Sequence, residues 1–144
     1  MKTQLLLAAS ALAMLTQAAH AGTQVMTFPI QPVLQSQQFA PGVGLYFGDQ
    51  PHPAVVTKLG EVTKSSHPAR KTATEVEICN ATLADALGQL ANAAHDRGAN
   101  AVINIKTWFH STVSNDANNY TCGVSGVSAG LHVSGELVNV EPAK

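Results

Sequence analysis

Charged residues are scarce in this chain. Only 12% of its 144 residues are Asp, Glu, Lys or Arg, and the net charge is −1, whereas about 25% of residues are charged in typical domains. A chain with so few cations has no general attraction for the phosphate backbone, so we expect no nucleic-acid partner. Four cations do occur close together, and we interpret them as part of a solvated loop: Lys58, Lys64, Arg70 and Lys71.

Long apolar runs are absent as well. The longest, Leu5 to Leu15, is too short to cross a bilayer as a helix, so we expect no membrane span. Lys2 before this run and Ala19-His20-Ala21 after it complete the pattern of a secretory signal. We therefore predict that residues 1–21 are a signal peptide, with cleavage between Ala21 and Gly22, and that the product is periplasmic or secreted. No cysteine lies near the cleavage site, so we expect no lipid anchor.

Cysteine and aromatic residues are also few. Cys79 and Cys122 are the two cysteines, and in an oxidising compartment such a pair favours a structural disulfide between two strands. A redox-active pair is the less favoured alternative, because no C-x-x-C motif is present to lower a thiol pKa. Aromatic residues make up 5% of the chain, and we interpret Tyr46, Trp108 and Phe109 as core rather than as a binding surface.

The second half of the chain has the clearest secondary-structure pattern. Thr82 is placed to cap a helix that ends near Gly98, with Leu83, Leu87 and Leu90 on one face. Residues 75–79 before it and 101–109 after it are predicted strands, which gives a parallel strand-helix-strand unit at about 75–109. In the second strand, the alternation predicts that Ile103 and Ile105 both face the helix.

The rest of the chain completes a single small domain. Residues 120–129 and 131–140 are predicted antiparallel strands, and residues 64–74 are a predicted exposed loop. Residues 22–42 are rich in Gln and contain Pro29, Pro32 and Pro41, which predicts an extended N-terminal arm or edge strand ahead of a domain at 43–144. The predicted fold is α/β (α+β), a twisted mixed sheet with one main helix packed on one face.

Three short motifs carry a family resemblance. They are Gly98 to Ile105 after the helix, Val133 to Val138 near the end, and Leu59 to Val62 upstream. In these motifs the chain resembles the YbjQ-like family, which is named for heavy-metal binding, and its exported RcsF-like relatives, lipoproteins that sense envelope stress. It is also similar to small secreted proteins often labelled excinuclease subunit, but it has no GxxxxGK[ST] phosphate loop. The resemblance implies the same fold and agrees with a bridge between Cys79 and Cys122.

Two further patterns are candidate sites. Gly126-Val127-Ser128-Ala129-Gly130 matches the G-x-S-x-G nucleophile elbow, but the chain is too short after it for the helix, acid and histidine that the elbow requires. The family name invites a metal site, for which the weak candidates are His52, His67, His110 and His132. His132 and Glu136 share a strand face but stand about 13 Å apart, so they cannot ligate one ion.

Three functions remain open at this point. The leading hypothesis is a non-enzymatic exported envelope protein, an interaction or stress-sensing type of domain without a cofactor, whose partner is an unknown envelope protein or a second copy. The alternative is a metal-binding module. The third is a small hydrolase that uses Ser128.

Overall fold

The computed structural model describes residues 22–142, which form a mixed α/β fold. The predicted class is confirmed: one main helix packs against a seven-stranded mixed sheet. The predicted signal peptide, including Ala19 and Ala21, lies outside the described residues. In chain order the elements are β1 (Gln24–Pro29), α1 (Gln31–Ser36), β2 (Gly44–Phe47), β3 (Val55–Ser66), α2 (Glu75–Asp96), β4 (Ala101–Phe109), β5 (Thr112–Ser114), β6 (Asn119–Val124) and β7 (Ala129–Val140).

Strand β7 is the centre of the sheet. It pairs antiparallel with β3 along one side and with β4 along the other, and its first residues pair antiparallel with β6 as predicted. Strand β1 extends the sheet beyond β6. Strands β2 and β4 form the parallel pair. The connection between them contains β3 as well as α2, so it begins earlier in the chain than the predicted strand-helix-strand unit at 75–109. Within residues 22–142, no helix is long and apolar enough to cross a membrane.

Helix α2 begins at Glu75, and the predicted strand at 75–79 is wrong. Thr74 and Glu77 form a capping box, in which the Glu77 amide donates to Thr74 Oγ1 (3.3 Å) and the Thr74 amide donates to Glu77 Oε2 (2.8 Å). Thr82 is therefore in the buried helix interior, where its hydroxyl donates to the Ile78 carbonyl (2.6 Å). The helix ends as predicted, with Gly98 at a φ of 75°.

The alternation of side chains along β4 reverses partway along the strand. Val102 and Ile105 pack in the main core with Leu83, Leu87 and Leu90 of α2, whereas Ala101 and Ile103 belong to a second, smaller cluster. The cause is a bulge: Asn104 has a φ of 52°, and the register with β7 shifts between Ile103 and Lys106. Because a bulge adds a residue to one strand, the alternation reverses. The prediction that Ile103 faces the helix is wrong.

Residues 22–42 belong to the packed fold. Strand β1 is an edge strand, which confirms part of the prediction, but Ile30 and Val33 are buried in the main core rather than held in an extended arm. Pro32 lies in the first turn of α1, where its missing N–H has no helical partner to lose. The prolines therefore do not exclude a helix in this segment, and the prediction of an extended arm over its whole length is wrong.

The segment that follows β3 is held against the turn between β6 and β7. The Arg70 amide donates to the Val127 carbonyl (2.8 Å), and Arg70 Nη1 donates to the Ser125 carbonyl (2.8 Å). The predicted exposed loop is thus anchored on one side. The four cations that the sequence brings close together do not form one loop. Lys58 and Lys64 lie on β3, where Lys58 pairs with Glu136, while Arg70 pairs with Glu75.

Candidate functional site

The cysteine pair forms a disulfide that joins the helix to the sheet. Cys79 lies on α2, rather than on a strand as predicted, and Cys122 lies on β6, with 6.0 Å between their Cα atoms. Both residues are completely buried. Since thiol–disulfide exchange requires access of a thiolate to a sulfur atom, this burial indicates a structural bridge.

The four candidate histidines do not form one site. His52 packs against Tyr46 and His110 against Phe109, while only His67 and His132 approach each other, with ring centroids 5.5 Å apart. In the part of the chain that the structure describes, no three His, Cys, Asp or Glu side chains are grouped for metal binding. Two imidazoles supply half of the ligands of a tetrahedral site.

Ser128 lies in the tight turn between β6 and β7. Its amide donates to Ser125 Oγ (3.1 Å), and the two hydroxyl oxygens are 3.4 Å apart. Strand β7 begins at the next residue, whereas a nucleophile elbow leads into a helix. The G-x-S-x-G pattern therefore forms a hairpin turn in this fold.

One face of the sheet is covered by helices, and the described residues place no helix on the other. Both helices pack on the same side, since α1 contacts α2 and α2 contacts four strands. On β7, the side chains alternate between that core and the opposite side, which we call the outer face. The outward residues of its middle portion are His132, Ser134 and Glu136.

An aromatic cluster lies at one end of the outer face. Trp108 stacks on His132 with ring centroids 5.3 Å apart, and His67 meets His132 edge-on. A Cβ atom at Gly130 would collide with Nδ1 of His67, so this position accommodates only glycine without a shift of the ring. Trp108 is half-buried on the outer face, and the prediction that it belongs to the core is wrong.

A depression that we call the outer cleft continues from this cluster. It consists of two adjoining cavities of about 180 and 330 Å³, and Glu61, Lys106 and Ser134 line both. The smaller cavity is otherwise polar, with Asn104 and Glu136 in its wall. The larger one has Trp108, His110 and Val113 in its wall. Sequence reasoning missed the outer cleft, because its residues come from four strands, β3, β4, β5 and β7, whose register was not known.

The charges of the outer cleft are balanced. Glu61 and Glu136 lie directly opposite each other on β3 and β7, an arrangement that is unfavourable by itself. Lys58 Nζ is 3.6 Å from Glu136 Oε1, and Asn104 Nδ2 donates to Glu136 Oε2 (3.4 Å). With Lys106 in the wall, two carboxylates face two ammonium groups.

Ser134 is the least satisfied polar residue of the outer cleft. Ser134 is 1% exposed to solvent, and its hydroxyl oxygen has no hydrogen-bond partner among the described residues. An unpaired buried hydroxyl costs about 1–3 kcal/mol. Most buried polar groups in native proteins are paired, so this hydroxyl requires an explanation.

The two long edges of the sheet differ in chemistry. Strand β3 carries Lys58, Glu61 and Lys64 and is interrupted at Gly60, whose φ is 99°. Strand β1 has no charged residue, and it pairs only with β6 within the described chain. Charges and bulges are the usual protection against unwanted strand pairing. Strand β1 lacks both.

Comparison with known proteins adds no relative. The chain matches no family model, no curated protein and no solved structure. The resemblance in the Gly98 to Ile105 and Val133 to Val138 motifs therefore stays a prediction. Function has to be inferred from the chemistry of the sheet edges and of the outer cleft.

Proposed function

We propose that this chain is an exported, non-enzymatic interaction domain of the cell envelope, of the stress-sensing type that its resemblance to RcsF-like proteins implies. The observation that carries the proposal is the uncharged free edge of β1. An extended segment of an envelope protein, or of a second copy, adds to the sheet there by main-chain hydrogen bonds.

Side-chain pattern supports this use of β1. Met26 and Phe28 pack against the main core, which fixes the strand in place. Val25 and Thr27 face away and are exposed, so they are available to neighbours on an added strand. A strand that packs against the core and carries no charge at its edge suits recognition of an extended partner.

The buried disulfide supports an exported location. A bridge between Cys79 and Cys122 persists in oxidising compartments and is rare in the cytosol. The low content of charged residues fits association through backbone and apolar contacts rather than through ion pairs.

The metal-binding alternative rests on one contact. His67 and His132 approach each other on the outer face, but His132 also stacks on Trp108, and coordination would have to compete with that stacking. The hydrolase alternative rests on Ser128, whose turn lacks the helix of a nucleophile elbow. Both are less well supported than an interaction domain.

Photocrosslinking in cells tests the proposal directly. A photoreactive amino acid replaces Val25 on the β1 edge, and the matched control replaces Val56 on the β3 edge, which is also exposed. We expect a discrete crosslinked product from position 25, either to a second copy or to an envelope protein. Equal labelling from both positions, or none from position 25, contradicts the proposal.

A charge substitution provides the second test. Thr27→Lys adds a lysine to the β1 edge, while Thr57→Lys adds one to the already charged β3 edge. Since lysine at an edge opposes strand addition, we expect only Thr27→Lys to abolish the crosslink from position 25. Both variants should melt like the parent, because both side chains are exposed.

A further inference from the structure

We infer that the outer cleft is a binding site for a neutral saccharide unit. This inference goes beyond the proposed function and is independent of it, because the outer cleft uses β3, β4, β5 and β7 whereas partner binding uses β1. It rests on the unpaired hydroxyl of Ser134, the charge balance, and the indole ring of Trp108.

The hydroxyl of Ser134 indicates a ligand with hydrogen-bonding groups. It lines both cavities of the outer cleft and has no partner among the described residues. A serine hydroxyl donates one hydrogen bond and accepts others, and it can rotate to suit its partner. The Ser134 oxygen is almost fully sealed from solvent, so a ligand hydroxyl, which is complementary to it in both respects, reaches it only when the Ser134 side chain rotates toward the outer cleft.

The charge balance indicates a neutral ligand. Glu61 and Glu136 accept hydrogen bonds, Lys106 donates them, and Asn104 does both. The two carboxylates are offset by Lys106 and by Lys58, which lies 3.6 Å from Glu136. A ligand with a net charge would meet a like charge within this wall, whereas a polyol presents a donor and an acceptor at each hydroxyl.

The aromatic wall selects a ring with an apolar face. Trp108 lines the larger cavity together with Val113, and its stacking on His132 holds the indole in place. A sugar ring carries hydroxyls around its rim and C–H groups on its faces, so it can rest on Trp108 while its rim reaches the polar wall. The larger cavity, about 330 Å³, is within the range of about 300–1,000 Å³ for ligand sites.

Tryptophan fluorescence reports on this site without a label. Trp108 is the single tryptophan of the chain, so a change in emission reports on the surroundings of this side chain in the wall of the outer cleft. The exported protein is titrated with chitotriose and maltotriose, two neutral oligosaccharides, and with cadaverine as a cationic probe. We expect a saturable change in emission with at least one oligosaccharide at millimolar concentrations and none with cadaverine.

Variants of the polar wall separate binding from folding. Ser134→Ala should weaken saccharide binding by about tenfold, the effect of losing a hydrogen bond of about 1.4 kcal/mol. Glu61→Gln should also weaken it, because a neutral amide oxygen accepts a weaker hydrogen bond than a carboxylate. Glu141→Gln, an exposed residue outside the outer cleft, is the matched control and should bind like the parent. Ser134→Ala should not lower the melting temperature, because it removes an unpaired buried hydroxyl.

Three outcomes overturn the inference. They are an absence of response to both oligosaccharides, an equal response in Glu61→Gln and Glu141→Gln, and a response to cadaverine alone. None of them affects crosslinking from position 25, so the saccharide site and the β1 edge are tested separately.

Discussion

The inner and outer faces of the sheet differ in what they contribute to the molecule. On β7, Leu131, Val133 and Leu137 are buried in the main core under α2, while His132, Ser134 and Glu136 alternate with them on the outer face. Because successive side chains of a strand point to opposite faces, one strand supplies both sets. Stability is concentrated on the inner face, and the candidate binding chemistry lies on the outer one.

At Gly135, packing on the inner face and polar chemistry on the outer face occur within three consecutive residues. A Cβ atom there would collide with Val102 and would lie 3.5 Å from Leu90 Cδ2. Glycine therefore leaves room for Val102 of β4 on the inner face, at the point where its neighbours, Ser134 and Glu136, line the outer cleft. The Ser134-Gly135-Glu136 sequence is structural on one face and polar on the other.

The largest effect is expected from truncation on the inner face. Leu87 is completely buried between α2 and the sheet, so Leu87→Ala should lower the free energy of unfolding by about 2–5 kcal/mol. Val113→Ala on the exposed β5 is the matched control and should change it by less than about 0.5 kcal/mol. Urea denaturation measures both values, and similar losses would show that the two faces do not differ in this way.

Loss of the disulfide should have the next largest effect. The bridge spans 43 residues, for which the chain-entropy model gives a stabilisation of about 4 kcal/mol. The double substitution Cys79→Ser with Cys122→Ser should therefore lower the melting temperature substantially, and reduction should do the same to the parent. Identical melting curves of oxidised and reduced protein would show that the bridge does not contribute to the stability of the inner face.

Tyr120 makes the stability of the inner face depend on alkaline pH. Burial raises the pKa of Tyr120 well above its usual range, and its hydroxyl donates to Asn80 Oδ1 (2.6 Å). Above about pH 10 the unfolded chain loses this proton while the folded chain retains it, so stability falls by about 1.4 kcal/mol for each further pH unit.

The Tyr120→Phe variant isolates this dependence. It should lose about 1 kcal/mol at pH 7, the value of one hydrogen bond, and should show a smaller decline above pH 10 than the parent. Denaturation at pH 8 and pH 11 measures the difference. Parallel declines in the two proteins would assign the alkaline loss to other groups.

The inner face was more predictable from sequence than the outer one. The stripe of Leu83, Leu87 and Leu90 has a helical period, and Gly98 ends the helix, so both follow from local pattern. The start of α2 was misplaced because Thr74 and Thr82 are both followed three residues later by an acid. Two features distinguish them: the apolar stripe continues through Ile78, and Thr74 is followed by Glu77, the residue type of a capping box, whereas Thr82 is followed by Asp85.

The outer face depends on register, which local pattern does not encode. Uninterrupted alternation placed Ile103 and Ile105 on one face, whereas the bulge at Asn104 puts Ile103 in a separate cluster from Ile105. The pairing of Glu61 with Glu136 and of Trp108 with His132 depends on contacts between residues far apart in the chain. The outer cleft could therefore not be assembled from the sequence.

The smallest effects are expected from the histidines outside the main core. His52, His67 and His110 are exposed and His132 is half-buried, so each single change to alanine should alter the free energy of unfolding by no more than about 0.5 kcal/mol. For His132→Ala, loss of the stacking should still shift the emission of Trp108, since the two rings are in contact. Fluorescence-detected denaturation gives both readouts.

A chelator completes this comparison between the faces. If the two faces differ as proposed, EDTA should leave the melting curve of the parent unchanged, because the described residues offer no group of three metal-binding side chains and the disulfide holds the inner face. A melting temperature that falls with EDTA, returns with one divalent metal, and loses this response in both His67→Ala and His132→Ala would instead favour the metal-binding alternative. In that case the rings of His67 and His132, which lie 5.5 Å apart, would be the site of binding and would stabilise the outer face.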